Sequence, residues 1–193
     1  MVEKTNGRGR KIPEVLVGDE LDRLLAQPST RYPTGKRNLA LMGIMADAGL
    51  RVSEALHLEA RDVDFNSGKI KVRQGKGDKD RVLWTGERTL AWLQAWIDVR
   101  PPGKGPLFTT LEGARLQSRY VRAMVKRYAT KAGIDKDVHP HTLRHTFGTD
   151  LFRKTKDIRL VQKMLGHADL SSTMIYTHII DDDAEVAMKA LRA

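Results

Sequence analysis

The chain has 193 residues, a formal net charge of +10 at pH 7 and no cysteine. This length supports one folded domain with a sizeable core, and the lack of cysteine excludes disulfides and thiolate metal sites. No stretch approaches the roughly 18 apolar residues of a membrane-spanning helix. The sequence pI near 9.9 indicates a polyanionic partner, most simply nucleic acid, and predicts a cytoplasmic, nucleoid-associated protein.

Most of the chain has the periodicity of helices. Residues 1–12 are basic and contain two glycines, which is typical of a linker or arm. Asp19 is a predicted N-cap for a short helix over 21–25, and Gly49 is the predicted end of the second helix. Further predicted helices are 36–48, 52–58, 89–99, 117–132, 142–153, 158–165 and 183–191, with a short piece at 172–177.

The periodicity changes in the middle of the chain. A short strand and turn are predicted over 62–68, and residues 69–73 alternate between polar and apolar side chains. A second strand over 81–85 completes a predicted hairpin, whose tip presents Lys76 and Lys79. The predicted architecture is therefore mainly α with one small antiparallel β-sheet (α+β).

The helix predicted over 117–132 has an apolar face and a separate basic stripe. The stripe consists of Arg115, Arg119, Arg122 and Lys126. No acidic residue lies between positions 113 and 134, so these cations have no acidic neighbour on the helix to pair with. We predict phosphate contacts for all four, with a solvated helix face as the alternative.

Three segments, 48–56, 139–147 and 165–178, contain residues suited to phosphate chemistry. Two arginines can clamp the non-bridging oxygens of a phosphate, histidines can move protons, and a tyrosine can form a covalent ester. No metalloprotease or P-loop motif is present. Taken singly, Arg51, His141 and Tyr176 each have an ordinary structural interpretation as a cap, an ion-pair partner or a core residue.

Together, these segments resemble the catalytic domain of the tyrosine recombinase (phage integrase) family, of the Xer type. The matching segments are 49–54, 75–81, 140–147, 165–170 and 175–178. The resemblance extends over about residues 13–192. It implies the tyrosine recombinase catalytic-domain fold and site-specific DNA recombination by strand cleavage and rejoining, without metal, ATP or another cofactor.

The resemblance also assigns residues that bind the phosphate. Arg51 and Arg144 correspond to the two clamp arginines, and His167 to a histidine that hydrogen-bonds the phosphate. Glu54 corresponds to an acidic residue that supports the site.

Three further assignments concern bond breaking. Tyr176 corresponds to the nucleophile that forms a 3′-phosphotyrosyl link, and His141 assists proton transfer beside it. Lys76 corresponds to the general acid that protonates the leaving 5′-oxygen. Lys79 and Arg81, from the same hairpin, are predicted DNA contacts.

The resemblance divides the chain into a basic arm (1–12), a catalytic domain (13–180) and a C-terminal helix (181–193). In the family this last helix docks on a neighbouring protomer of a tetramer on DNA, and packing on its own chain is the alternative. The family usually has an N-terminal core-binding domain, so both an excised fragment and a naturally minimal integrase fit the sequence.

Two other functions stay open. A type IB topoisomerase or a telomere resolvase would share the phosphotyrosyl chemistry. A non-catalytic DNA-binding protein could use the same fold, although it would be expected to have lost Arg51, Arg144 or Tyr176.

Overall fold

A computed structural model of the chain describes residues 13–73, 80–167, 173–174, 176 and 188. Within these ranges the chain forms seven α-helices and one two-stranded antiparallel sheet, and no helix there is long and apolar enough to cross a membrane. The elements are α1 (Glu20–Leu25), α2 (Pro33–Ala48), α3 (Val52–His57), β1 (Lys69–Val72), β2 (Arg81–Trp84), α4 (Glu87–Ile97), α5 (Ser118–Lys131), α6 (Pro140–Thr155) and α7 (Ile158–Leu165).

This mainly α architecture confirms the predicted fold class. Each helix and strand has the predicted bounds to within two residues, except α2, which begins three residues early. Three predicted features lie outside the described residues: the arm over 1–12, the hairpin tip with Lys76 and Lys79, and the helix over 183–191. The piece at 172–177 is described only in part.

The central helix of the core is α2, which packs against α4 and α6. Its residues Leu41, Met42, Ile44 and Met45 have no exposed surface. It begins at Pro33 because proline has a helical φ and lacks an N–H that would be unpaired in the first turn. It ends at Gly49, whose φ of +64° is the left-handed cap conformation.

A buried polar network joins α2 to α5. The guanidinium of Arg37 lies 5.1 Å from the ring centroid of Tyr120 and donates through Nη1 to the carbonyl of Thr109 at 3.0 Å. Asn38 Nδ2 donates to the hydroxyl of Tyr128 at 3.2 Å. These contacts, together with the apolar side of α5, fix the direction in which the helix presents its charged side.

The hairpin pairs Val72 with Arg81 and Ile70 with Leu83. The turn predicted within 62–68 is present, but the strand predicted there is reduced to one antiparallel bridge between Val63 and Ile70, preceded by a 3₁₀ helix over Ala60–Asp62. In that turn the Asp64 carboxylate accepts hydrogen bonds from Asn66 and Ser67. Such local side-chain bonds compete with strand pairing.

The predicted cap at α1 is also wrong in its contacts. Asp19 occupies the N-cap position but has helical backbone angles, φ −87° and ψ −1°, and its side chain makes no capping hydrogen bond. A capping residue normally has extended angles that turn its side chain towards the first free N–H groups. The carboxylate of Asp19 instead pairs with Arg23 Nε at 3.1 Å.

Gly49→Ala should destabilise the protein more than Gly18→Ala. Both glycines have positive φ, and a Cβ at Gly18 would meet nothing within 4 Å, so that control isolates a left-handed strain of about 1–2 kcal/mol. A Cβ at Gly49 would lie 2.3 Å from Cδ1 of Phe147, which adds about 1–3 kcal/mol of overpacking. Urea unfolding measures both, and equal losses would show that Phe147 moves aside freely.

Candidate active site

The carboxylate of Glu54 is the meeting point of three arginines. Arg81 donates from Nη1 and Nη2 to its two oxygens, at 2.9 and 2.8 Å. Arg51 donates from Nη1 to Oε1 at 2.8 Å and from its backbone N to Oε2 at 2.7 Å. Nη1 of Arg144 lies 3.9 Å from Oε2. The carboxylate belongs to α3, and the arginines around it come from the N-cap of α3, from β2 and from α6.

The same arginines bind the C-terminal end of α7. Arg81 Nε donates to the carbonyl of Met164 at 3.1 Å, Arg144 Nη2 to that of Leu165, and Arg51 Nη2 to that of Gly166 at 3.0 Å. The last carbonyls of a helix lack partners within the helix and form its negative end. Three consecutive carbonyls therefore each receive one guanidinium.

This cluster keeps Glu54 ionised and retains excess positive charge. Burial raises the pKa of Glu54, but hydrogen bonds from Arg81 and Arg51 outweigh it and lower the pKa to about 2. Burial and the nearby Arg51 lower the pKa of Arg144 to about 10, so it stays charged at pH 7. Among the described side chains at this point, three guanidinium groups face one carboxylate, so the cluster is suited to bind an anion.

Helix α6 directs one face towards the cluster. His141, Arg144, His145 and Gly148 lie on that face because they are spaced by three and four residues. His141 is exposed. Partial burial of its ring, and then the charges of His139, Arg144, Arg122 and Arg51, lower its pKa.

The hydroxyl of Tyr176 is hydrogen-bonded to His145, with Oη and Nδ1 3.0 Å apart. Tyr176 is 1% exposed and packs against Gly148, where a Cβ would lie 2.7 Å from Cζ of the tyrosine. Burial raises the pKa of Tyr176 to about 12, against the opposing effect of Arg144. Burial, and then the neighbouring His141 and Arg144, lower the pKa of His145 to about 4. At pH 7 a neutral phenol therefore faces a neutral imidazole.

His167 follows the left-handed cap Gly166, which turns the chain after α7. Its Nδ1 lies 3.0 Å from Thr173 Oγ1. Burial, then Arg144 and Arg51, lower the pKa of His167 to about 4. The ring is neutral at pH 7 and can donate or accept a hydrogen bond beside the arginines.

The structure brings most of the predicted site residues together. Direct contacts or mutual effects on pKa link Arg51, Glu54, His141, Arg144, His167 and Tyr176. Lys76 and Lys79 lie outside the described residues.

Arg81, a predicted DNA contact, lies inside the arginine cluster. Its side chain is 9% exposed, and its guanidinium is bonded to Glu54 and Met164. Arg81 stands directly opposite the buried Val72 in the hairpin, and opposed side chains share a face of a sheet. The register could therefore have predicted an inward direction.

His145 is the contact of Tyr176 that sequence reasoning missed. It follows Arg144 directly and lies four residues after His141, so a helix places it on the same side as both. That spacing was the available signal.

Among the described residues, no three histidine, aspartate or glutamate side chains lie close enough together to hold a metal ion.

The predicted basic stripe is exposed. Its members Arg119, Arg122 and Lys126 project from α5, and Arg115 lies just before the helix. Lys126 Nζ has an acid 3.9 Å away, Asp137 Oδ1, which comes from beyond the helix. Arg122 also contributes to the lowered pKa of His141, so this end of the stripe acts electrostatically on the site.

The fold and site define a helical domain that surrounds an anion-binding arginine cluster with neutral histidines and a tyrosine. The protein-family sequence model described as "Phage integrase family" matches residues 14–182. The chain therefore belongs to the phage integrase family.

Individual relatives agree with this assignment. The tyrosine recombinase XerC of Serratia marcescens is 36% identical over 179 residues, which cover 91% of this chain and 58% of that protein. The crystal structure of XerA recombinase superposes with a TM-score of 0.82 at 36% identity, over 94% of this chain and 66% of the other. The chain spans little more than half the length of the curated relatives it matches.

Several similar structures contain DNA. The crystal structure of XerH site-specific recombinase bound to palindromic difH substrate, a post-cleavage complex, has a TM-score of 0.83 and 30% identity. The match covers 98% of this chain and 56% of that one. The predicted tyrosine recombinase catalytic-domain fold is thereby confirmed.

Acid should destabilise the protein through Glu54. Its pKa is lowered on folding, so its contribution is complete above the unfolded value of 4.5 and is lost as the pH falls towards about 2. That difference corresponds to about 3 kcal/mol. Urea unfolding between pH 5 and pH 2 should show a steeper loss of stability in wild type than in Glu54→Gln, and parallel curves would contradict the charge assignment.

Proposed function

We propose that this chain is the catalytic domain of a tyrosine recombinase, which cleaves and rejoins DNA strands through a 3′-phosphotyrosyl intermediate. One observation carries the proposal. Arg51 and Arg144 share the carboxylate of Glu54 within a cluster of excess positive charge, and Tyr176 lies close enough for Arg144 to affect its pKa. Guanidinium groups bind non-bridging phosphate oxygens, and a phenol can attack phosphorus.

The reaction needs no external energy because one ester replaces another. The oxygen of Tyr176 bonds to phosphorus while the bond from phosphorus to the 5′-oxygen breaks. The phenol proton leaves to an imidazole, a role that the family resemblance gives to His141, and Lys76 protonates the 5′-oxygen. Arg51, Arg144 and His167 stabilise the charge that develops on the phosphate oxygens. The reverse attack by another 5′-hydroxyl rejoins the strand.

The described conformation precedes catalysis. Arg144 is 4% exposed and Tyr176 is 1% exposed, whereas 34% of the Arg51 side chain is accessible. A phosphate can therefore reach Arg51 first. Contact with Arg144 requires that its buried guanidinium become accessible. Attack by Tyr176 requires that the phenol leave Gly148 and His145.

The proposed partner is a double-stranded recombination site, contacted along the basic stripe of Arg115, Arg119, Arg122 and Lys126. The similarity to a recombinase solved with its DNA substrate supports this partner.

We assign residues 13–180 to catalysis and residues 1–12 to a basic arm, and we infer that residues 181–193 dock on a neighbouring protomer in a tetramer. The matched relatives are recombinases, and no observation favours a topoisomerase, a telomere resolvase or a non-catalytic protein.

Tyr176→Phe should abolish covalent adduct formation and leave DNA binding intact. A pool of nicked random-sequence duplexes is incubated with protein at low salt, and adducts are detected after denaturation in SDS. Tyr128→Phe is the matched control because it removes a hydroxyl bonded to Asn38, outside the site. Adducts formed by Tyr176→Phe would overturn the choice of nucleophile, and DNA binding by wild type without adducts would favour a non-catalytic protein.

Replacing Arg119, Arg122 and Lys126 with glutamine should weaken DNA binding mainly at low salt. Each lost phosphate contact should reduce the slope of log K against log salt by about 0.9. Fluorescence anisotropy over a salt series measures that slope. Arg88→Gln is the control because Arg88 is an exposed arginine paired with Asp22 on another surface. A triple variant with the wild-type slope would mean that the stripe faces only solvent.

A further inference from the structure

We propose that Arg81 is a positioning residue of the active site, which holds Glu54 and the end of α7 so that Arg51 and His167 can meet a phosphate. The inference rests on the proposed function and deepens it. It replaces the DNA contact predicted for this residue with an indirect role in the same reaction.

All three nitrogens of the planar Arg81 guanidinium donate hydrogen bonds. Nη1 and Nη2 bind both oxygens of Glu54, and Nε binds the carbonyl of Met164. The guanidinium also packs on Gly166, where a Cβ would lie 3.0 Å from Nη1. A planar fork can make all of these contacts at once, whereas the single ammonium of a lysine cannot. Arg81 thus joins β2 to both α3 and the turn after α7.

The contacts of Arg81 determine which N–H donors of Arg51 remain free to bind an anion. Because Arg81 binds both oxygens of Glu54, the side chain of Arg51 makes one hydrogen bond to Glu54 and one to Gly166. Two of its five N–H donors are used, and the others remain for an anion. Without Arg81, the partly exposed Arg51 can close onto both oxygens of Glu54. A phosphate would then have to break that ion pair.

The second consequence concerns His167. This residue directly follows Gly166, against which Arg81 packs. Arg81 also contributes to the lowered pKa of His167, after Arg144 and Arg51. Loss of Arg81 therefore loosens both the clamp arginine and the turn that carries the phosphate-binding histidine.

The first test measures cleavage separately from binding. Arg81→Gln is compared with wild type on a nicked duplex recovered by the adduct trapping described above. The rate of adduct formation at saturating protein should fall about 10- to 100-fold, the scale expected for a small misplacement of reacting groups. The Kd should rise much less than the rate falls, because the phosphate contacts proposed for the basic stripe do not involve Arg81. An unchanged rate, or a loss confined to Kd, would overturn the proposal.

Two comparisons exclude a general loss of structure. Arg88→Gln removes the same charge from an ion pair outside the site, and it should keep the wild-type rate. In the double variant Arg81→Gln/Glu54→Gln, the rate should be no lower than in the slower single variant, because the two residues act as one unit. Multiplied losses would show that Arg81 acts independently of Glu54.

Arg81→Lys keeps the positive charge, and it provides a second test if the Arg81→Gln variant does not fold. It should not restore the rate, because an ammonium cannot bridge Glu54 and Met164 together. A wild-type rate in Arg81→Lys would show that charge alone suffices and would contradict the positioning role.

A separate measurement does not depend on catalysis. A carboxyl ¹³C NMR titration of Glu54 should show a pKa near 2 in wild type and in Arg88→Gln, and a value closer to 4.5 in Arg81→Gln. An unchanged pKa in Arg81→Gln would overturn the inference even if recombination is confirmed. If wild type forms no adduct but the titration shifts as expected, the proposed function fails while the hold of Arg81 on Glu54 stands.

Discussion

One largely buried carboxylate organises the active-site side of this protein. Glu54, on α3, is joined by hydrogen bonds to Arg51 at the N-cap of α3 and to Arg81 on β2, and it lies within ion-pair range of Arg144 on α6. A buried ion costs several kcal/mol unless it is paired and hydrogen-bonded, so none of these elements can move away without exposing a charge to a poor environment. The position of each arginine therefore depends on the others.

The end of α7 completes this arrangement from the opposite side. Its terminal carbonyls accept one hydrogen bond each from Arg51, Arg81 and Arg144. The helix dipole places partial negative charge at this end, which offsets part of the excess positive charge. The offset is incomplete, and a phosphate diester is the group that would supply the missing negative charge.

Tyr176, by contrast, is held in a buried position that is not poised for attack. Its hydroxyl is bonded to His145, and its ring fits against Gly148, where a side chain would collide with it. The phenol is also uncharged, because burial raises its pKa to about 12. In the proposed reaction, Arg51 can meet a phosphate while Tyr176 is still held by His145 and Gly148. A transition that releases Tyr176 would then separate binding from cleavage.

The sequence determined the local structure and the inventory of reactive groups. Helix bounds followed from apolar periodicity, proline and glycine, because those signals act over a few residues. The motifs containing Arg51, Arg144 and His167 were likewise visible in the chain.

Only the tertiary structure decided which groups touch. Arg81 was predicted to contact DNA, yet it binds Glu54, 27 residues away in the chain. His145 had no predicted role, yet it is bonded to Tyr176, 31 residues away. A charged or polar side chain has the same local signature whether it faces solvent or a buried partner. Its partner is fixed by how distant helices and strands pack, which local periodicity does not encode.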